Sequence, residues 1–184
     1  MKLNRTIVEA VEWCWTNDKS FGKFPTRAYI DPLEKVEDFD SLSDEEKKGI
    51  RIKNKNIVVK NRQIDGQRSV MVQDLKVAKE LMEYDQFYLP HNFCHRGRIY
   101  PIPHFSHHRD EHIKAMFEFA NEKKVDDNAF YWIAIQVANT GDFDKVSKKP
   151  MLDRIKWVTD NADKIIEVAQ DYQSTFDFWS QADK

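Results

Sequence analysis

The chain is short of cysteine, glycine and proline, and it has no long apolar run. Two cysteines, Cys14 and Cys94, among 184 residues are too few and too isolated for a disulfide framework, which makes a reducing compartment the expectation. Five glycines scattered at positions 22, 49, 66, 97 and 141 leave no Walker-type or dinucleotide-type phosphate loop. There is no serine nucleophile elbow, and neither cysteine sits in a Cys/His motif. No uninterrupted apolar stretch is long enough for a membrane-spanning helix. The opening residues Met-Lys-Leu-Asn-Arg-Thr lead directly into an amphipathic pattern holding Glu9 and Glu12, which fits neither a secretory signal nor a transit peptide. A chain of this length can bury one core or two small lobes.

Charge is plentiful but nearly balanced, with a formal net value of -2 at pH 7. A balance of that kind ordinarily argues against nucleic-acid binding, yet the charges are sorted along the chain. From Asp31 to Glu46 eight acidic residues, Asp31, Glu34, Glu37, Asp38, Asp40, Asp44, Glu45 and Glu46, meet only Lys35. From Lys47 to Arg62 the residues Lys47, Lys48, Arg51, Lys53, Lys55, Lys60 and Arg62 meet no acid. One reading is a solvated linker and a solvated helix face. The other is a basic arm beside a nucleic-acid duplex, extended by Arg68.

Periodicity predicts a mostly helical α+β fold. Ile7, Val8, Val11, Cys14 and Trp15 recur at helical spacing from about Asn4 to Asp18. Residues 21–40, with Gly22, Pro25 and Pro32, read as an extended connector. Ser43 and Glu46 have capping-box spacing and start a helix reaching about Val59. Gly66 is expected to break it, with a second helix from Arg68 burying Met71, Leu75, Ala78 and Met82, so that the pair forms a helical hairpin. Short strands are expected at 87–89 and 98–102, their prolines confining them to edges or strand ends. Three helices follow: a stripe of Ile113, Met116, Phe117 and Ala120; a stripe of Phe130, Ile133, Ala134 and Val137 capped by Asp127; and one beginning at Pro150 that carries Ile155, Val158, Ala162, Ile165, Ile166 and Ala169.

Two clusters compete for chemistry. Phe87 to Tyr100 reads Phe-Tyr-Leu-Pro-His-Asn-Phe-Cys-His-Arg-Gly-Arg-Ile-Tyr. It sets Arg96 and Arg98 around Gly97, so two guanidinium groups can reach phosphates while the glycine admits close approach of a backbone. His104, His107, His108 and His112 form the second cluster, with His108 and His112 at a metal-ligand spacing. That cluster lacks cysteines and disciplined intervals. It reads either as a histidine-rich loop entering a helix or as the centre of a metal-dependent nuclease. Asp126-Asp127 and Asp142-x-Asp144 read as caps and a turn.

Pro90, His91, Asn92, Arg96, Gly97, Arg98 and Tyr100 resemble the tract aromatic-x-Pro-[His/Tyr]-Asn-Met-Asp-aromatic-Arg-Gly-Arg-x-Tyr of the single-subunit DNA-directed RNA polymerases of bacteriophages and mitochondria. Pro103-His104-Phe105, Ala115 to Ala120, Tyr131 to Asn139 and Arg154-Ile155-Lys156 follow in that family's order and roughly its spacing. Cys94 and His95 stand where the family has an acidic residue and an aromatic. The resemblance implies a thumb-like helical region over 1–86 and the start of a palm with inserted helices over 87–184. It also implies binding of template DNA and RNA:DNA hybrid through Arg96, Gly97, Arg98, Tyr100 and Arg68, in the cytoplasm of a phage-infected bacterial host. The metal-binding aspartates of the family lie further along than Lys184. The Mg2+ ions of a complete polymerase would therefore be held by a complementary polymerase chain or another segment, as in a split polymerase, and not by this chain. A non-catalytic nucleic-acid-binding protein derived from a polymerase is the alternative.

Overall fold

The computed structural model describes residues 1–29, 32, 36 and 38–182. Most of the acidic run's first half, Asp31, Glu34, Lys35 and Glu37, lies outside the described residues, as does part of the expected connector.

A two-residue strand β1 (Lys2–Leu3) leads into helix α1 (Arg5–Thr16), which the Asn4 side chain caps by accepting from the Ile7 N–H at 3.1 Å. The helix buries Val8, Val11 and Cys14 on one stripe, as the spacing predicts. After a 3-10 turn at Phe39–Ser41, helix α2 runs unbroken over Asp44–Leu81. Its start is a full capping box: the Glu46 N–H donates to Ser43 Oγ and the Ser43 N–H donates to Glu46 Oε2.

The expected helical hairpin is thus corrected to a single helix of 38 residues, about 57 Å long at 1.5 Å per residue. Gly66 lies inside it with helical backbone and open space around its Cα. A glycine there costs only about 1 kcal/mol. The buried stripe Ile64, Met71, Leu75 and Ala78 passes across it without a break in phase, and that burial outweighs the local penalty. Gly66→Ala is accordingly expected to raise stability by about 0.4–1 kcal/mol, read from a urea midpoint. A loss of stability would mean that the helix does break at Gly66. Before Ile64 the helix has no buried residue, so its basic first half projects as an arm.

Strands β2 (His91–Phe93) and β3 (Ile99–Pro101) form an antiparallel hairpin in which Asn92 faces Tyr100. The first strand therefore lies beyond Pro90, not at 87–89 as the composition suggests. The stripe expected to be a helix over 113–120 is divided: α3 covers Glu111–Lys114, and β4 (Phe117–Glu118) pairs with β1, Leu3 opposite Phe117. Ile113 and Met116 are fully buried, but the pairing with the amino-terminal strand ends the helix.

Helix α4 (Asp127–Gly141) is capped by Asp126, one residue before the expected cap. It buries Ala134, Ile135 and Ala138 while Phe130 and Ile133 stay exposed, so its inner face is rotated from the predicted stripe. The last predicted helix is two, α5 (Met151–Asp160) and α6 (Ala162–Gln170), separated at Asn161. A final turn, α7 (Phe176–Trp179), packs back on the first helix, with the Phe176 and Trp13 rings 5.9 Å apart. One core joins α1, Phe24, the second half of α2, Phe105 and α3.

Candidate nucleic-acid interface

The Arg-Gly-Arg motif is the turn of the β2–β3 hairpin. The Gly97 N–H donates to the Cys94 carbonyl at 3.0 Å and the Cys94 N–H donates to the Arg98 carbonyl at 2.9 Å. Closing so short a loop between paired strands needs a left-handed residue, and Gly97 supplies it with φ of +73°. This is why a glycine separates the two arginines. Arg96 and Arg98 are both exposed, and no ion pair or hydrogen bond of their side chains occurs among the described residues. Tyr100 stands next to them on β3, 42% exposed, with its ring 6.1 Å from that of His108. The tip of the hairpin therefore carries two cations unpaired among the described residues, with an aromatic beside them on β3.

Arg68 is placed differently. It lies on α2 with its guanidinium 3.9 Å from the Tyr29 ring, and the Tyr29 hydroxyl donates to Asp65. Asp65 is also 3.9 Å from Arg68 Nη1. The structure thus gathers Arg96, Gly97, Arg98 and Tyr100 in one hairpin, and sets Arg68 in an aromatic pairing on the long helix.

An ion pair that the sequence reading passed over ties the long helix to the loop that follows the hairpin. Asp74, 2% exposed, receives Arg109 Nη2 at 3.0 Å and Nη1 at 3.5 Å. Arg109 Nη1 also meets His104 Nε2. The two residues are 35 apart in sequence, and they tie α2 to the loop that leaves β3. An acid on the same helix face as Met71, Leu75 and Ala78 was the signal in the sequence, since a carboxylate on a buried stripe needs a cation.

The histidines do not converge. His104 is taken by Arg109, and His112 packs edge-on against Phe24 at 5.2 Å. His107 lies 4.7 Å from His108 and 5.7 Å from His91, ring to ring. Among the described residues no three His, Cys, Asp or Glu side chains are grouped to hold a metal ion. Burial pushes the Cys14 thiol up to about 11, which leaves it unreactive.

Burial is also the chief reason that the His112 pKa is lowered, with Arg109 adding to it and Asp110 and Asp74 opposing. His107 is lowered by burial, then by His108 and His91. Both imidazoles favour the neutral form in the fold, so below pH 6.5 the unfolded chain binds more protons than the folded one. Stability is expected to be full above that pH and to fall as pH drops from there through the lowered folded values. His112→Leu should flatten the fall, measured as urea midpoint against pH. An unchanged slope would remove His112 as a source.

Arg154 anchors the other half of the chain. Its Nε donates to the Lys149 carbonyl at 2.7 Å and its Nη1 to Asn139 Oδ1 at 2.9 Å, joining α4 to α5. Asp142 and Asp144 occupy a tight turn, both with positive φ, and Asp142 Oδ1 accepts from the Ser147 N–H at 2.8 Å.

Residues 123–184 match the family described as DNA-dependent RNA polymerase. Several curated proteins align with almost all of the chain, among them three organellar polymerases. The mitochondrial DNA-directed RNA polymerase 1 of Arabidopsis thaliana is 28% identical over 90% of this chain and 17% of its own length. The mitochondrial DNA-directed RNA polymerase of Neurospora crassa is 26% identical over 99% of this chain and 12% of its own length. The chloroplastic DNA-directed RNA polymerase 3 of Nicotiana sylvestris is 25% identical over 99% of this chain and 18% of its own length. These organellar relatives from eukaryotes overturn the expectation of a phage-infected bacterial cytoplasm. Along nearly its whole length the chain is similar to mitochondrial and chloroplastic DNA-directed RNA polymerases, and it spans less than a fifth of the length of these curated relatives.

Proposed function

We propose that this chain forms the nucleic-acid-holding part of a DNA-directed RNA polymerase and grips template DNA and the RNA:DNA hybrid. The observation that carries the reading is the hairpin tip, where Arg96 and Arg98 are exposed and unpaired among the described residues on either side of Gly97. Each guanidinium offers a planar fork of donors to phosphate oxygens. Tyr100 packs against the template strand or its sugar. The projecting basic half of α2, together with Arg68, supplies positive field along the duplex. Phosphate contacts of this kind fix register and orientation without reading sequence.

The polymerase reaction is attack of an RNA 3′ hydroxyl on a nucleoside triphosphate, and Mg2+ supplies charge stabilisation of the attacking and leaving oxygens. No group of side chains suited to a metal occurs among the described residues. The carboxylates that hold it are proposed to come from outside these 184 residues. This chain's share is to bind, orient and hold the strands.

Two measurements on the purified chain test the reading. An RNA:DNA hybrid is expected to bind, and nucleotide incorporation with Mg2+ and template is expected to be absent until a chain bearing the catalytic aspartates is added. Incorporation by the chain alone, or failure to bind hybrid at low salt, would contradict it.

A further inference from the structure

Away from the hairpin, an open groove runs between the carboxy-terminal end of α1 and the second half of α2. Trp15 and Val72 form its floor, Arg27 and Arg68 line one end, and Lys76 and Lys79 line the other. Among the described residues the one carboxylate on its walls, Glu12, is held by Lys79. Arg27 places its guanidinium 5.7 Å from the Trp15 ring centre. Arg68 Nε is buried and finds no hydrogen-bond partner among the described residues. Lys76 is exposed and makes no ion pair or side-chain hydrogen bond among them.

We infer that this groove is a track for a single strand of nucleic acid, distinct from the Arg-Gly-Arg hairpin. The inference rests on the reading of the chain as a nucleic-acid-holding part of a polymerase. A half-buried indole beside cations is what an unpaired base needs: its ring stacks on Trp15 while neighbouring phosphates lie against Arg27, Arg68 and Lys76. Bases inside a duplex are already stacked on one another and cannot use the indole, so the groove favours a single strand. An acidic peptide would satisfy the charge but brings no planar ring to stack on Trp15, which then keeps only the Arg27 guanidinium beside it. Neither stacking nor phosphate contact reads the 2′ hydroxyl, so RNA and DNA strands both fit.

Fluorescence anisotropy of the full chain with labelled oligouridine and oligothymidine of about twelve nucleotides tests the assignment. Both are expected to bind. Trp15→Leu should weaken each about tenfold, the effect of one lost stacked base, and Trp15→Phe should restore part of it. Lys76→Ala, an exposed change that leaves the core untouched, should lower the log-log salt slope by about 0.7. Arg98→Ala should weaken hybrid binding more than oligouridine binding, and Trp15→Leu should do the reverse, so failure of the hairpin reading shows in the hybrid arm and failure of the groove in the single-strand arm. Oligonucleotide binding unaffected by both Trp15→Leu and Lys76→Ala, or competed equally well by polyglutamate, would overturn the inference.

Discussion

Arg109→Ala is expected to destabilise the fold by about 3 kcal/mol or more, the usual consequence of stranding one member of a buried ion pair. Asp74 is 2% exposed and Arg109 is its ion-pair partner at 3.0 Å. With the guanidinium gone, a carboxylate sits among Met71, Leu75 and Ala78 with neither water nor a cation, and the fold must protonate it or open. The pair's own net worth is much smaller, because both groups give up hydration to meet. Asp74→Leu combined with Arg109→Leu is therefore expected to recover most of the loss. Urea unfolding of the three variants measures both. A cost below about 1 kcal/mol for Arg109→Ala would show that the pair behaves as an exposed one.

Arg96→Ala combined with Arg98→Ala is expected to weaken binding of an RNA:DNA hybrid at least about a hundredfold, since each charge-assisted hydrogen bond contributes about 1.5–3 kcal/mol. Because both side chains extend from a turn whose closing bonds are backbone to backbone, neither change should disturb the fold. Gly97→Ala should act differently. With φ of +73° an alanine there strains the turn by about 1 kcal/mol or more, and it should lower affinity by misplacing arginines that are still present. The loss should be alike for hybrids of different sequence, because phosphates carry no sequence information.

Local signals in the sequence were reliable where the physics is local. Asn4 and the Ser43–Glu46 box start helices because a side-chain oxygen satisfies an N–H only a few residues away. Gly66 misled because its cost was weighed without the stripe that crosses it. The end of α3 could not be read locally: Phe117 leaves the helix to pair with Leu3, 114 residues earlier in the chain. The same limit hid the partner of Asp74, whose burial was implied by its neighbours but whose cation lies in a loop beyond β3. The arginines of the hairpin were legible as a motif. That Gly97 must be left-handed for them to share a turn became clear only once β2 and β3 were in register.

The most direct test of the central claim is the salt dependence of hybrid binding by the parent chain and by single variants. If Arg98 sits on a phosphate, Arg98→Ala lowers affinity and flattens the log-log slope by about 0.7–0.9, one phosphate's share of released counterions. Arg98→Lys keeps the charge and loses the paired donors, so the slope returns while part of the affinity stays lost. Lys123→Ala, at an exposed position outside the hairpin strands, changes neither. Equal affinities and equal slopes for Arg96→Ala, Arg98→Ala, Lys123→Ala and the parent would contradict the assignment of this hairpin to nucleic acid.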